Sequence, residues 1–318
     1  MNKKGVILGI DTSNYTTSVA LLTTEGELIA NIKEPLPVKA GERGLRQSEA
    51  VFSHIKNIPI CMGRLSEYLV GREIVAVGVS DKPRNQEGSY MPCFLSGVAS
   101  ARSVATALSI PLYTFSHQCG HIMAALFSSG RMDMIEKPFA AFHISGGTTE
   151  FVKIEPDRNG FKATLIGGTK DLNAGQIIDR IGVYMGLSFP CGPEMERLAL
   201  SYNGKRPAVK PSLSGTYVNL SGLENLAMKL YQETEDKALV SRFVLDYISA
   251  ALIGMSEAYL CEFGSQPLLF AGGVMSNSII KAELTERFDA YFATPSMSAD
   301  NAVGIANLAL RAYRNTDI

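Results

Sequence analysis

The chain carries the same kind of opening twice. Residues 6–10 form a β-branched, apolar run that stops at Asp11-Thr12-Ser13, and residues 139–144 form another that stops at Ser145-Gly146-Gly147-Thr148-Thr149. Strand patterns follow at 17–22 and, past the Glu25-Gly26 turn, at 28–32. In the second half they follow at 150–154 and 162–166. Strand, polar turn, then further strands is an antiparallel start, and its restart after residue 135 predicts a duplicated α/β architecture with a ligand cleft between the halves. Helical periodicity at 48–69, 94–109, 118–128, 176–185, 193–201, 224–262 and 301–313 alternates with further strand runs at 74–79, 112–115 and 268–270. The Pro-, Ser- and Gly-rich stretch 207–220 reads as loop or short strands.

At 318 residues the chain is long enough for two domains and a substantial core. Its 46% hydrophobic and 19% charged residues fit a folded protein and exclude a disordered or fibrous one. A formal net charge of −1 supplies no global basic field, so contact with nucleic acid requires a local patch or a basic partner. The five cysteines lie far apart with no C-x-x-C pair, the pattern of free thiols in a reducing cytoplasm. With no signal-like leader and no run of about 18 apolar residues, a cytoplasmic protein without a membrane partner is expected.

Three turns at strand ends have the chemistry of a nucleotide cleft. Asp11, Thr12 and Ser13 offer hydroxyls, backbone N–H groups and a carboxylate able to hold a cation or a water, and form a candidate phosphate turn. The glycines of 145–149 let N–H groups approach an anion closely. Residues 271–277, Ala-Gly-Gly-Val-Met-Ser-Asn, end a strand and open a helix whose N-terminus favours negative charge. None has the spacing of a P-loop or of G-x-G-x-x-G, so the cleft is neither Walker-type nor Rossmann-type. Asp179 sits in an otherwise apolar helix beside Arg180, a neighbour it cannot face, which points to a ligand contact. Asp300, just before the closing helix, has the position of an N-cap.

His117 and His121 are two of only four histidines, four residues apart. On a helix they share a face and can reach one divalent metal. The spacing is that of H-E-x-x-H, but Gln118 replaces the glutamate, and an amide cannot serve as the base that protease chemistry requires. No Ser/His/Asp or Cys/His arrangement is evident, and no catalytic protein nucleophile is assigned.

These segments resemble, in order, the TsaD/Gcp family of the ASKHA (actin-like ATPase) superfamily, once labelled O-sialoglycoprotein endopeptidases. Residues 7–20 are similar to its opening strand and turn, 117–121 to its H-x-x-G-H, and 143–150 to its V-S-G-G-H-T. Residues 168–192 are similar to its long T-x-D-D-A-x-G-E stretch ending in P-G-G, 219–223 to its S-G-L element, 271–277 to its A-G-G-V-x-x-N and 300–302 to its D-N-A. The resemblance implies two actin-like (RNase H-like) α/β domains, residues 1–135 joined by the closing helix 301–318, and residues 136–300. It implies one divalent metal per chain, iron or zinc, on His117, His121 and Asp300, and an adenylate ligand on Ser145, Gly146, Gly147, Asp179, Gly192 and Asn277. The implied reaction transfers a threonylcarbamoyl group from threonylcarbamoyl-AMP to N6 of the adenosine beside the anticodon of tRNA, leaving AMP. The implied partners are tRNA, a smaller TsaB-like paralogous subunit and a TsaE-like ATPase.

The chain also departs from the family pattern. Thr148 stands at the histidine of V-S-G-G-H-T, Leu172 at one of the paired aspartates, Cys191 within P-G-G, and Glu224-Asn225 at the Lys-Thr after S-G-L; residues 79–92 replace a Gly-Pro-Gly-rich loop. Two alternatives therefore stay open: a divergent metal- and nucleotide-binding paralogue without tRNA activity, and an ASKHA kinase or carbamoyltransferase acting on a small molecule with an ATP-like nucleotide.

Overall fold

The computed structural model describes residues 3–13, 15–37, 45–158, 160–298 and 302–316. They form two compact α/β units: Met1–Glu136 with Glu155–Ala163 and Met297–Ile318, and Lys137–Ile154 with Thr164–Ser296.

The first unit is built on β1 (Lys4–Thr12), β2 (Thr16–Thr23), β3 (Leu28–Pro35), α1 (Gln47–Ser66), β4 (Arg72–Lys82), α2 (Phe94–Leu108), β5 (Leu112–Ser116) and α3 (His117–Ser128). Its sheet has the order β3-β2-β1-β4-β5. β1 runs antiparallel to β2 and parallel to β4. Because side chains alternate along a strand, Val6, Leu8 and Ile10 pack with Cys61 and Leu65 of α1 and with Ala101 and Ala105 of α2. Ile7 points the other way, into a cluster with Val303, Ala306 and Ala309 of the closing helix, the last α-helix of the chain (Val303–Thr316). All these strand residues are fully buried, and each side chain removed from water contributes on the order of 1.5–3 kcal/mol.

The second unit continues with β6 (Phe139–Ile144), β7 (Thr149–Asp157), β8 (Gly160–Thr169), α4 (Ala174–Tyr184), α5 (Gly192–Ser201), β9 (Ser212–Ser214), β10 (Tyr217–Asn219), α6 (Ser221–Thr234), α7 (Lys237–Phe263), β11 (Leu268–Ala271), α8 (Ser278–Arg287) and β12 (Ala290–Phe292). A single turn, α9 (Pro295–Ser298), precedes the closing helix, α10. The sheet order is β12-β11-β6-β7-β8-β10-β9. Its first five strands, read as β8-β7-β6-β11-β12, repeat the order of the first sheet, with β6 antiparallel to β7 and parallel to β11.

One rung fixes the register of this sheet. Phe151, Phe142, Phe270 and Phe292 are direct partners across β7, β6, β11 and β12. Phe142 stacks on Phe151 at 3.8 Å and on Phe270 at 5.0 Å, and Phe270 on Phe292 at 5.1 Å. Each such pair adds about 0.5–1.5 kcal/mol beyond burial, and a slip of one residue would send every ring to the opposite face. The same register sets His143 against Ala271, so the turns that follow β6 and β11 leave the sheet side by side.

The helical stretches expected over 224–262 are two helices, separated where Glu235 adopts φ 51° and Asp236 caps α7 through Ala238 N and Leu239 N. α6 also starts earlier, at Ser221, because Asp171 caps it from 50 residues away. By length and mean hydropathy α7 could cross a membrane, but 78% of its apolar window is buried, as befits a core helix.

Candidate functional site

In the second unit, the turns after β6 and β11 and the first turns of α4 and α5 line one pocket of about 300 Å3, within the range of small-molecule sites. Of the residues expected to meet an adenylate, Gly146, Asp179, Gly192 and Asn277 line it. Ser145 and Gly147 flank Gly146 in the β6–β7 turn, closed by Ser145 N donating to Thr148 O at 2.8 Å and by Gly147 N donating to Ser145 Oγ at 3.3 Å. α4 starts hard against this turn: Gly175 N donates to Ser145 O at 3.3 Å, and a Cβ on Gly175 would lie 2.6 Å from that oxygen. Gly272, at φ +100°, passes so close to Ile144 O that a side chain there would collide with it.

The helix starts set the positive ends of helix dipoles along one wall, an arrangement that suits an anion, although at α4 the N–H groups of Ala174 and Gly175 already donate to Thr149 Oγ1 and Ser145 O. Asp179 and Glu196 bring carboxylates to the same pocket. Asp179 Oδ1 accepts from Cys191 N at 2.9 Å, tying the turn before α5 to α4. Glu196 Oε1 accepts from Ser278 N at 2.8 Å and Ser278 Oγ at 2.5 Å. Asn277 caps α8, its Oδ1 accepting from Ile279 N and Ile280 N at 3.1 Å each. The pocket thus offers N–H donors for a phosphate and carboxylate acceptors for hydroxyl or amino groups. Burial, together with the negative charges of Asp179 and Glu194, pushes the Cys191 thiol pKa up, so this cysteine is a poor nucleophile.

Arg180 turns from its neighbour Asp179 and pairs with Glu224 at 2.8 Å. Nearby, Asp171 accepts from Leu172 N, Leu220 N and Ser221 N at 2.6, 2.8 and 3.0 Å. Its partial burial would raise its pKa, but the hydrogen bonds from Ser221, Leu220 and Leu172 outweigh this and hold the carboxyl well below the usual range. Sequence reasoning missed Glu196 and the capping role of Asp171, since a carboxylate on an amphipathic pattern reads as solvated surface.

In the first unit, β5 ends at Ser116, whose hydroxyl accepts from Cys119 N at 3.2 Å and starts α3 at His117. One turn on, His121 brings its Nε2 to 2.8 Å from His117 Nε2, with the rings edge to face at a centroid distance of 4.3 Å. His117 Nδ1 lies 3.0 Å from Asp11 Oδ1, which also accepts from Ser80 Oγ at 2.5 Å. Asp11, Thr12 and Ser13 are all buried. Thr12 Oγ1 donates to Cys93 O and accepts from Gly97 N, both at 3.1 Å. Cys119 is buried among these residues and receives Asn85 Nδ2 at Sγ. Asp300, the third expected metal ligand, lies outside the described residues.

The model of the family TsaD, tRNA N6-adenosine threonylcarbamoyltransferase, matches residues 35–307. The tRNA N6-adenosine threonylcarbamoyltransferase of Streptococcus thermophilus is 30% identical over 94% of this chain and 90% of its own length. That of Methanopyrus kandleri is 25% identical over 95% of this chain and 86% of its own. Among solved structures, component A of (R)-2-hydroxyglutaryl-CoA dehydratase from Acidaminococcus fermentans has a TM-score of 0.56 at 15% identity, covering 98% of this chain and 99% of that one, a likeness of the ASKHA fold alone. Matched by the family's model over most of its length and aligned with these relatives nearly end to end, the chain belongs to the TsaD family.

Proposed function

We infer that this protein transfers a threonylcarbamoyl group from threonylcarbamoyl-AMP to N6 of the adenosine beside the anticodon of tRNA, releasing AMP. The observation that carries this reading is the second-unit pocket. Gly146, Asp179, Gly192 and Asn277, scattered over more than a hundred residues of the family-matched stretch, line one cavity together. In the reaction, N6 attacks the carbamoyl carbon, the bond from that carbon to the phosphate oxygen breaks, and N6 loses a proton. Backbone N–H groups of Gly146 and Gly192, with the positive ends of the helix dipoles, would hold the adenylate phosphate and stabilise the charge left on AMP. The Asp179 and Glu196 carboxylates would accept from hydroxyl or amino groups of the nucleoside.

In the first unit, His117 and His121 fit a divalent metal, iron or zinc. Both are imidazoles, a common ligand of such ions, and their Nε2 atoms converge to 2.8 Å on one helix face, so one ion could draw on both. Asp300 would complete the set. A metal held there supplies Lewis-acid polarisation of a ligand oxygen. The expected setting is cytoplasmic, with a smaller TsaB-like subunit and a TsaE-like ATPase as partners.

A second reading, a nucleotide-binding paralogue without tRNA activity, draws on Glu224. Where the family has a lysine, this chain has an acid paired with Arg180, which removes one cation and occupies another that could meet a polyanion. The deciding experiment incubates metal-loaded protein with threonylcarbamoyl-AMP, unmodified tRNA and the partner proteins, and looks for the modified nucleoside. Product supports the transferase. No product, with AMP binding retained, leaves the second reading. A small-molecule acceptor that drives ATP consumption would mark a kinase or carbamoyltransferase instead.

A further inference from the structure

Although its turn has the composition of a phosphate site, Asp11 is fully buried at the end of β1 and faces inward. Its Oδ1 receives Ser80 Oγ at 2.5 Å from β4 and meets His117 Nδ1 at 3.0 Å on α3. On the far side of the same ring, His117 Nε2 meets His121 Nε2 at 2.8 Å. The four groups form one line through the first unit: Ser80, Asp11, His117, His121.

We propose that Asp11 is a positioning residue for His117, fixing the ring's tautomer and direction so that Nε2 presents its lone pair to a metal. A carboxylate that receives a hydroxyl proton on the same oxygen acts as an acceptor, so His117 Nδ1 carries the proton. A neutral imidazole has one N–H, which leaves His117 Nε2 as the acceptor. The proton in the short Nε2–Nε2 contact then belongs to His121. Metal binding requires His121 alone to move its proton to Nδ1; His117 is already in its ligating form. Ser80 serves the same end by holding Asp11 on its other side. Carboxylates placed behind a ligating histidine in this way both orient the ring and raise its basicity as a donor.

This inference rests on the metal reading of the histidine pair. It is tested by two measurements besides activity. Nitrogen-15 NMR of the metal-free protein should show His117 as the Nδ1–H tautomer; an Nε2–H tautomer would overturn the proposal, and no variant is needed to see it. Zinc affinity, measured by chelator competition on the full chain, should fall about ten- to a hundredfold in Asp11→Asn, whose amide can turn its NH2 toward Nδ1. Binding within twofold of the unaltered protein refutes the role of Asp11. His117→Ala separates the two levels: if it too leaves zinc binding unchanged, the metal reading itself is wrong, whereas loss of zinc in His117→Ala with retention in Asp11→Asn sinks only the role given to Asp11.

Discussion

Gly304, in the first turn of α10, lies against the main-chain carbonyl of Gly120 in α3, so close that a Cβ would collide with it. Gly120 in turn sits under Ile305, where a Cβ would stand 2.9 Å from Cδ1. The histidine-bearing helix is therefore seated on α10 backbone to backbone. Gly304→Ala must push the two helices apart, and overpacking of this kind costs about 1–3 kcal/mol. The variant is expected to melt several degrees lower and to retain less zinc after dialysis. An unchanged melting temperature would show that the contact has room to relax.

Asp171 holds the start of α6 through Leu220 N and Ser221 N. Asp171→Ala should cost about 0.5–2 kcal/mol, the worth of a lost cap. The carboxyl is held below its usual pKa. Its contribution is therefore complete above the ordinary aspartate value near 3.9 and fades as pH falls through the lowered one. Urea unfolding should show the full difference between the two proteins at pH 7 and a shrinking one below about pH 4. A difference that grew in acid would contradict the assignment.

Asp179→Asn keeps an oxygen for Cys191 N but removes the charge from the pocket. Calorimetric titration with AMP should show affinity weakened roughly ten- to a hundredfold, the worth of one charged hydrogen bond, with little change in melting temperature. Equal affinity would remove Asp179 from the ligand contacts.

Burial pushes the thiols of Cys61, Cys93 and Cys119 up to about 11, and Cys191 is raised by burial and by Asp179 and Glu194. Cys261 is the exposed one of the five. At pH 8 the native protein should react rapidly with a disulfide reagent at one thiol, and at all five only when unfolded. Two or more fast thiols would mean that one of the buried sites opens readily.

The α/β class and most elements were legible because β1, β4 and β6 are largely buried and carry dense apolar runs, while α3 is bounded by the polar Ser116 and Ser129. The histidine pair was legible from spacing alone. What escaped depends on contacts distant in sequence. The direction of Asp11 is set by Ser80 and His117, and that of Thr12 by Cys93 and Gly97. Nothing local distinguishes a buried Asp-Thr-Ser from one that faces a phosphate. Glu196 gains its place only when β11 and α8 bring Ser278 to it. β12, three residues long, is too short for periodicity to register and owes its place to the phenylalanine rung.

α10 belongs to the first unit although α4 to α8 and the whole second unit intervene in the chain. On the ribosome, β1 to β5 and α3 emerge long before the helix that covers Ile7 and supports Gly120. Until then α3 rests on β4 and β5 without the helix that seats Gly120, so a completed first unit must await translation of the second. A metal at the proposed pair would therefore be gained only late in the protein's synthesis, and a chain halted before residue 303 would lack the helix against which Gly120 packs.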